Sequence, residues 1–162
     1  MALNPKFVGR VFPPTSTYQV GREKIREFAT AIGDENPAFH DVAAAQALGY
    51  RDVIAPPTFS VVMALKAATS VIKDPDFGLD YSRVVHGEQK FHFTRPIVAG
   101  DEVQVAVTIA SARTMAGNDM VTTVGEVTTT EGEHVATVTS LLISRGPDDG
   151  ATPDVVGRKA DQ

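Results

Sequence analysis

Residues 55–72 read Ala55-Pro56-Pro57-Thr58-Phe59-Ser60-Val61-Val62-Met63-Ala64-Leu65-Lys66-Ala67-Ala68-Thr69-Ser70-Val71-Ile72. The paired prolines are incompatible with a helix interior, but Pro57 suits a first helical turn. From Thr58 to Ile72 the segment is apolar around most of a helical circumference, and Lys66 is its one charge. Such a helix has to be covered on most sides. In a chain of 162 residues, a sheet wrapped around it is the economical cover.

The residues that follow supply that sheet. In Arg83–Arg95 one face carries Val85, Phe91 and Phe93, and the other carries His86, Glu88, Lys90 and His92. Asp101–Ala110 alternates Val103, Val105, Val107 and Ile109 with polar or small residues, a half-buried strand. Turn signals at Gly117-Asn118 and Glu131-Gly132 separate two further β-rich runs, 119–130 and 134–144. On the N-terminal side, Ile25, Phe28, Ala29 and Ile32 form one helical stripe that Gly33 ends. Asn36 as N-cap and Pro37 at the first helical position predict a second helix running to about Leu48. The first twenty residues read as an edge strand limited by Pro13-Pro14. The fold class is α+β, an antiparallel sheet around one central helix. Residues 1–146 are expected to form this domain, and 147–162 a disordered polar tail.

Composition narrows the function. With 43% hydrophobic and 22% charged residues, the chain has enough apolar content for a core. A net charge of -5 argues against general nucleic-acid affinity. The absence of cysteine excludes a disulfide framework, thiolate zinc sites and a cysteine nucleophile. No apolar run reaches the roughly 20 residues of a membrane span, and the N-terminus shows no secretory signal, so a cytoplasmic location is expected. His86 and His92 lie six residues apart on one strand, about 20 Å, so they cannot share a metal, and none is expected. No nucleotide-binding glycine motif is present, and no cofactor is expected.

Gly33-Asp34-Glu35-Asn36-Pro37-Ala38-Phe39-His40 is where chemistry is expected. An Asp and a His on either side of a helix N-cap can converge on one water and deprotonate it. The helix N-terminus beside them favours developing negative charge. The plain alternative is that Asp34 and Asn36 cap and His40 is an ordinary helical residue. His86 beside Gly87 reads as a bulge residue aimed at a ligand, or else as an outward strand residue.

Gly33-Asp34-x-Asn36-Pro37, followed by Phe93-Thr94-Arg95-Pro96-Ile97-Val98-Ala99-Gly100-Asp101, resembles the MaoC-like hot-dog hydratases and dehydratases. Within them the chain is most similar to the branch of the N-terminal dehydratase-like domain and the acyl-binding subunits of heterodimeric (3R)-hydroxyacyl-ACP dehydratases. Val85-His86-Gly87-Glu88-Gln89-Lys90-Phe91 fits that branch too. The resemblance implies a hot-dog fold and an acyl-thioester substrate carried on CoA or acyl carrier protein. It also implies a homodimer, or a heterodimer with a related hot-dog subunit. For the site, it implies Asp34 as water-binding acid/base with His40 as its partner, and Asn36 fixing the loop. Thr58 would polarise the thioester carbonyl, His86 and Gly87 would be supporting residues, and Phe59, Val62 and Met63 would line the acyl tunnel.

Two departures from the family pattern stand out. His40 comes one residue late and Phe39 holds its usual place, which turns a helical side chain by about 100°. Pro56-Pro57 stands where active members have His-Gly, so Pro57 lacks the N–H that would help bind the thioester oxygen. Losing one such donor typically costs about 2.7–4 kcal/mol in the transition state. Two functions follow as expectations. One is a (3R)-hydroxyacyl-thioester dehydratase, equally a trans-2-enoyl hydratase. The other is a non-catalytic acyl-chain-binding subunit that pairs with a catalytic hot-dog partner.

Overall fold

The computed structural model describes residues 3–146, so the expected polar tail lies outside the described residues. The order is β1 (Tyr18–Gln19), α1 (Arg22–Ala31), α2 (Pro37–His40), α3 (Val42–Ala47), α4 (Val61–Ile72), β2 (Val84–Phe93), β3 (Glu102–Met115), β4 (Asn118–Thr129) and β5 (His134–Ser144). Five antiparallel strands form one sheet in the order β1-β3-β4-β5-β2. The sheet curls around α4, which is the expected hot-dog arrangement. No helix among the described residues is long and apolar enough to cross a membrane.

The alternation read in the sequence sets the inner face. Val103, Val105, Val107 and Ile109 of β3 and Val121, Thr123 and Val127 of β4 are buried. They meet Met63, Ala64, Ala67, Ala68, Val71 and Ile72 of α4 in one core. The alanines let the helix lie close to the sheet. A Cβ on Gly125 would sit 3.3 Å from Val105 Cγ1 and 3.6 Å from Ala64 Cβ. The N-terminal segment runs along β3 as the edge, with the Phe12 N–H on Val107 O and the Thr15 N–H on Val105 O, on either side of Pro13-Pro14.

Four expectations change in detail. Residues 57–60 form turns and the helix starts at Val61, because the Phe59 and Val61 N–H groups bond back to Pro56 O and Thr58 O in tight turns. The central helix is also less enclosed than its composition implies, since Leu65, Lys66 and Ser70 are exposed. The helix expected from Pro37 to Leu48 is broken at Asp41, which is extended (φ −119°, ψ 126°) and caps α3 through the Ala44 N–H. In β2 the register slips between His86 and Glu88. That bulge exchanges the faces: Phe91 and Phe93 pack on the core, whereas Val84 replaces the exposed Val85. The outer side of β2 is unpaired among the described residues, a free edge that a second chain could extend.

Candidate functional site

Hydrogen bonds fix the Asp34–His40 segment locally. Gly33 takes a left-handed φ of 72° and ends α1. Asp34 Oδ1 accepts the Asn36 N–H at 3.1 Å, and Asn36 Oδ1 accepts the Ala38 N–H at 3.1 Å. Both side chains therefore act as turn and cap groups. One residue along α2 then separates two fates. Phe39 is buried, 5% exposed. His40 turns away: its Nε2 donates to the backbone carbonyl of Asp34 at 2.9 Å, and its own carbonyl accepts from Arg26 Nε at 2.8 Å. The imidazole is tethered to the Asp34 backbone, not to its carboxylate.

Three segments converge beside α2. The Ile54 N–H donates to Ala38 O at 3.1 Å and the Ala55 N–H to Ile97 O at 2.8 Å, so residues 54–57 are stitched between α2 and the 93–97 loop. They enclose a cavity of about 360 Å³, walled by Phe39, Ile54, Ala55, Pro56, Pro57, Phe93, Pro96 and Ile97, with Asn36, Thr94 and Arg95 as its polar members. This size suits part of a small-molecule ligand in a mostly apolar surround.

Arg95 is not a free cation in that wall. Its Nε and Nη2 donate to Glu133, Nη1 and Nη2 donate to Asp101, and Nη1 donates also to Pro96 O. All five guanidinium N–H groups are thereby used. Pairing with Glu133 raises its affinity for the proton further. Asp101 is 4% exposed and also accepts from Arg51 at 2.6 Å and from the Val98 N–H at 2.9 Å. Burial opposes its ionisation, yet the hydrogen bonds from Arg95, Val98 and Arg51 outweigh it and hold the carboxyl below the usual carboxylate range. The network locks the loop that builds one side of the cavity.

The remaining candidate residues are scattered. Asp34, His40, Thr58, His86 and Gly87 are not in the wall of this cavity. Thr58 is exposed, and its neighbour Ser60 is fully buried with an Oγ that has no partner among the described residues. Val62 and Met63 line a different cavity of about 580 Å³, between α4, α1 and residues 15–18. Phe59 is fully buried, its ring edge-on to Phe28 at 5.5 Å. His86 is exposed on the free edge at the bulge, where a Cβ on Gly87 would meet Ile143 Cδ1 at 2.9 Å.

Residues 6–138 match the family described as FAS1-like, dehydratase domain region. The chain belongs to this family. A UPF0336 protein of Streptomyces avermitilis is 57% identical over 150 residues, covering 93% of this chain and all of that protein. Another from Thermobifida fusca is 48% identical, covering 90% and 96% of the two chains. Among solved structures, a MaoC-like dehydratase superposes with a TM-score of 0.80 at 36% identity, covering 88% of this chain. This chain spans 43% of that longer one. A C-terminally truncated HadBC (3R-hydroxyacyl-ACP dehydratase) complex from Mycobacterium tuberculosis gives 0.78 at 32%, covering 85% of this chain and 96% of that one. The MaoC-like hot-dog resemblance read in the sequence is thereby shown, fold and family together.

The cavity residues to which the sequence analysis gave no site role are Ile54, Ala55, Phe93, Thr94, Arg95, Pro96 and Ile97. The signal was present, since five of them lie in the Phe93–Asp101 motif, which served only to mark the family. What the motif does not show is that residues 54–57 and α2 close around it through two backbone hydrogen bonds.

Proposed function

We propose that the chain is an acyl-thioester-binding subunit of a (3R)-hydroxyacyl-thioester dehydratase, equally a trans-2-enoyl hydratase, working with a related hot-dog partner that supplies the catalytic Asp and His. The observation that carries this reading is the exchange at α2. The cavity receives the Phe39 ring, and the His40 imidazole is hydrogen-bonded to the Asp34 backbone outside its wall. Hydration needs a positioned base on a water, and this cavity offers an aromatic side chain at that place. Pro56 and Pro57 add wall without contributing an N–H. The similarity to a HadBC complex supports a heteromeric assembly, and the free outer side of β2 gives a partner a strand to extend.

The test is hydration of crotonyl-CoA and octenoyl-CoA by the purified chain, alone and mixed with any co-encoded hot-dog subunit that carries an intact Asp-x-Asn-Pro-x-His motif. The expected result is binding without turnover by the chain alone, and turnover on mixing. Asp34→Asn and His40→Ala in this chain should leave the mixture within about threefold of wild type, because neither is asked to move a proton. The autonomous-hydratase alternative requires the opposite. Turnover by the chain alone that drops about 10²-fold in Asp34→Asn, a low-end loss for general acid–base catalysis, would replace this proposal with it.

A further inference from the structure

Thr94, in the cavity wall, is the end of a chain of hydrogen bonds that the family motif does not require. Its Oγ1 lies 2.6 Å from His134 Nδ1. His134 Nε2 lies 3.0 Å from Glu126 Oε2 and 2.9 Å from Thr137 Oγ1, and Thr137 Oγ1 in turn donates to Glu126 Oε2 at 2.8 Å. The topology makes this possible: Glu126 on β4 and Thr137 on β5 are direct cross-strand partners, and the Thr94 N–H bonds Val135 O where β2 leaves the sheet. The result is a hydroxyl–imidazole–carboxylate line that ends on Thr94, a residue of the cavity wall.

The proton positions follow from chemistry. A carboxylate only accepts, so Nε2 facing Glu126 carries its hydrogen. In neutral His134, Nδ1 is then an acceptor, and the Thr94 O–H must donate to it. The Thr94 oxygen is left with lone pairs only and can accept from a ligand O–H or N–H. When His134 is protonated, Nδ1–H donates to Thr94 instead, and the hydroxyl becomes free to donate. The charged and titratable groups facing His134 are Glu126 on β4, His92 on β2 across Thr137, and the Arg95–Glu133 pair beside it. Arg95 cannot take over as donor because all its N–H groups are used. Asn36 Oδ1 is committed to the Ala38 N–H. Thr94 is therefore the wall's adjustable polar group.

We infer that Thr94 is a ligand-contacting hydrogen-bond group of this cavity, with His134 and Glu126 as positioning residues that set whether its hydroxyl accepts or donates. This rests on the acyl-thioester reading of the cavity. The partner at neutral pH is a donor on the thioester, either the 3-hydroxyl of a hydroxyacyl group or an amide N–H of the pantetheine arm.

Calorimetric titration of the full chain with (R)-3-hydroxybutyryl-CoA and crotonyl-CoA, at pH 5.5 and pH 8, tests this. At pH 8, Thr94→Val should weaken binding about three- to tenfold, the worth of one neutral hydrogen bond, while Thr94→Ser stays within about twofold. A loss for both ligands identifies the amide as donor, and a loss for the hydroxyacyl ligand alone identifies the 3-hydroxyl. The wild-type change in affinity between the two pH values should be reduced alike in Thr94→Val and His134→Leu. Melting curves serve as the folding control, and Thr94→Ala, which also removes the hydroxyl, carries the comparison if the valine variant is unstable. Binding by the wild type that Thr94→Val leaves unchanged overturns the inference and spares the subunit reading. Failure of the wild type to bind either ligand overturns both.

Discussion

Phe59→Ala is expected to lower stability by about 3–5 kcal/mol, a fall of about 6–20 °C in melting temperature for a chain of this size. Phe59 is fully buried where the chain turns into α4, with its ring edge-on to Phe28 of α1 at 5.5 Å. Its removal takes away the transfer energy of a large aromatic side chain and leaves a void under α4. Two backbone bonds, from Phe59 N–H to Pro56 O and from Val62 N–H to Phe59 O, hold the backbone in place, so the void cannot collapse easily. The sequence reading made Phe59 part of an acyl tunnel. A thermal melt separates the two roles: an unchanged midpoint together with weakened acyl-CoA binding would show that Phe59 serves the ligand and not the core.

Asp101→Ala is the second large effect, expected at about 3 kcal/mol, the lower end for breaking a buried ion pair by removing one partner. That corresponds to about 6–12 °C. The lower end applies because Arg51, one of the two cations on Asp101, is mostly in water. The substitution frees two N–H groups of Arg95, removes the bond from Arg51 and leaves the buried Val98 N–H without its acceptor. The loop that walls the cavity should loosen with it. The pH dependence has a definite sign. The folded Asp101 carboxyl titrates below its ordinary value, which is about 3.9 in an unfolded chain. Its contribution is therefore fully present above that value and is lost as pH falls through the lower folded one. The stability gap between wild type and Asp101→Ala, read by denaturant unfolding, should be constant from pH 8 to 5 and narrow below pH 4. A gap that widens on acidification would show that Asp101 is not held as the carboxylate.

Much of this protein was legible from periodicity and punctuation. The alternation of Val103, Val105, Val107 and Ile109 could bury only one face. The apolar run of 58–72 called for a buried helix, which the structure forms over 61–72 with Leu65, Lys66 and Ser70 left exposed. These patterns repeat every two or 3.6 residues, so they survive without knowledge of neighbours. Gly33 and Asn36 likewise announced a helix end and a cap that the structure contains, because capping is a property of consecutive residues. The displaced histidine was visible in the sequence too, as Phe39 before His40. Its consequence was not, since a turn of about 100° decides nothing until the position of the cavity is known. Only the tertiary structure placed Phe39 in the wall and His40 on the Asp34 carbonyl. It alone separated Val62 and Met63 from that cavity. It also joined Thr94, His134 and Glu126, which are 40 and 8 residues apart from link to link, into one hydrogen-bonded line. The physical reason is common to all three. Which side chains meet across the curled sheet depends on strand register and loop closure, and those are set by long-range backbone hydrogen bonds that leave no period in the sequence.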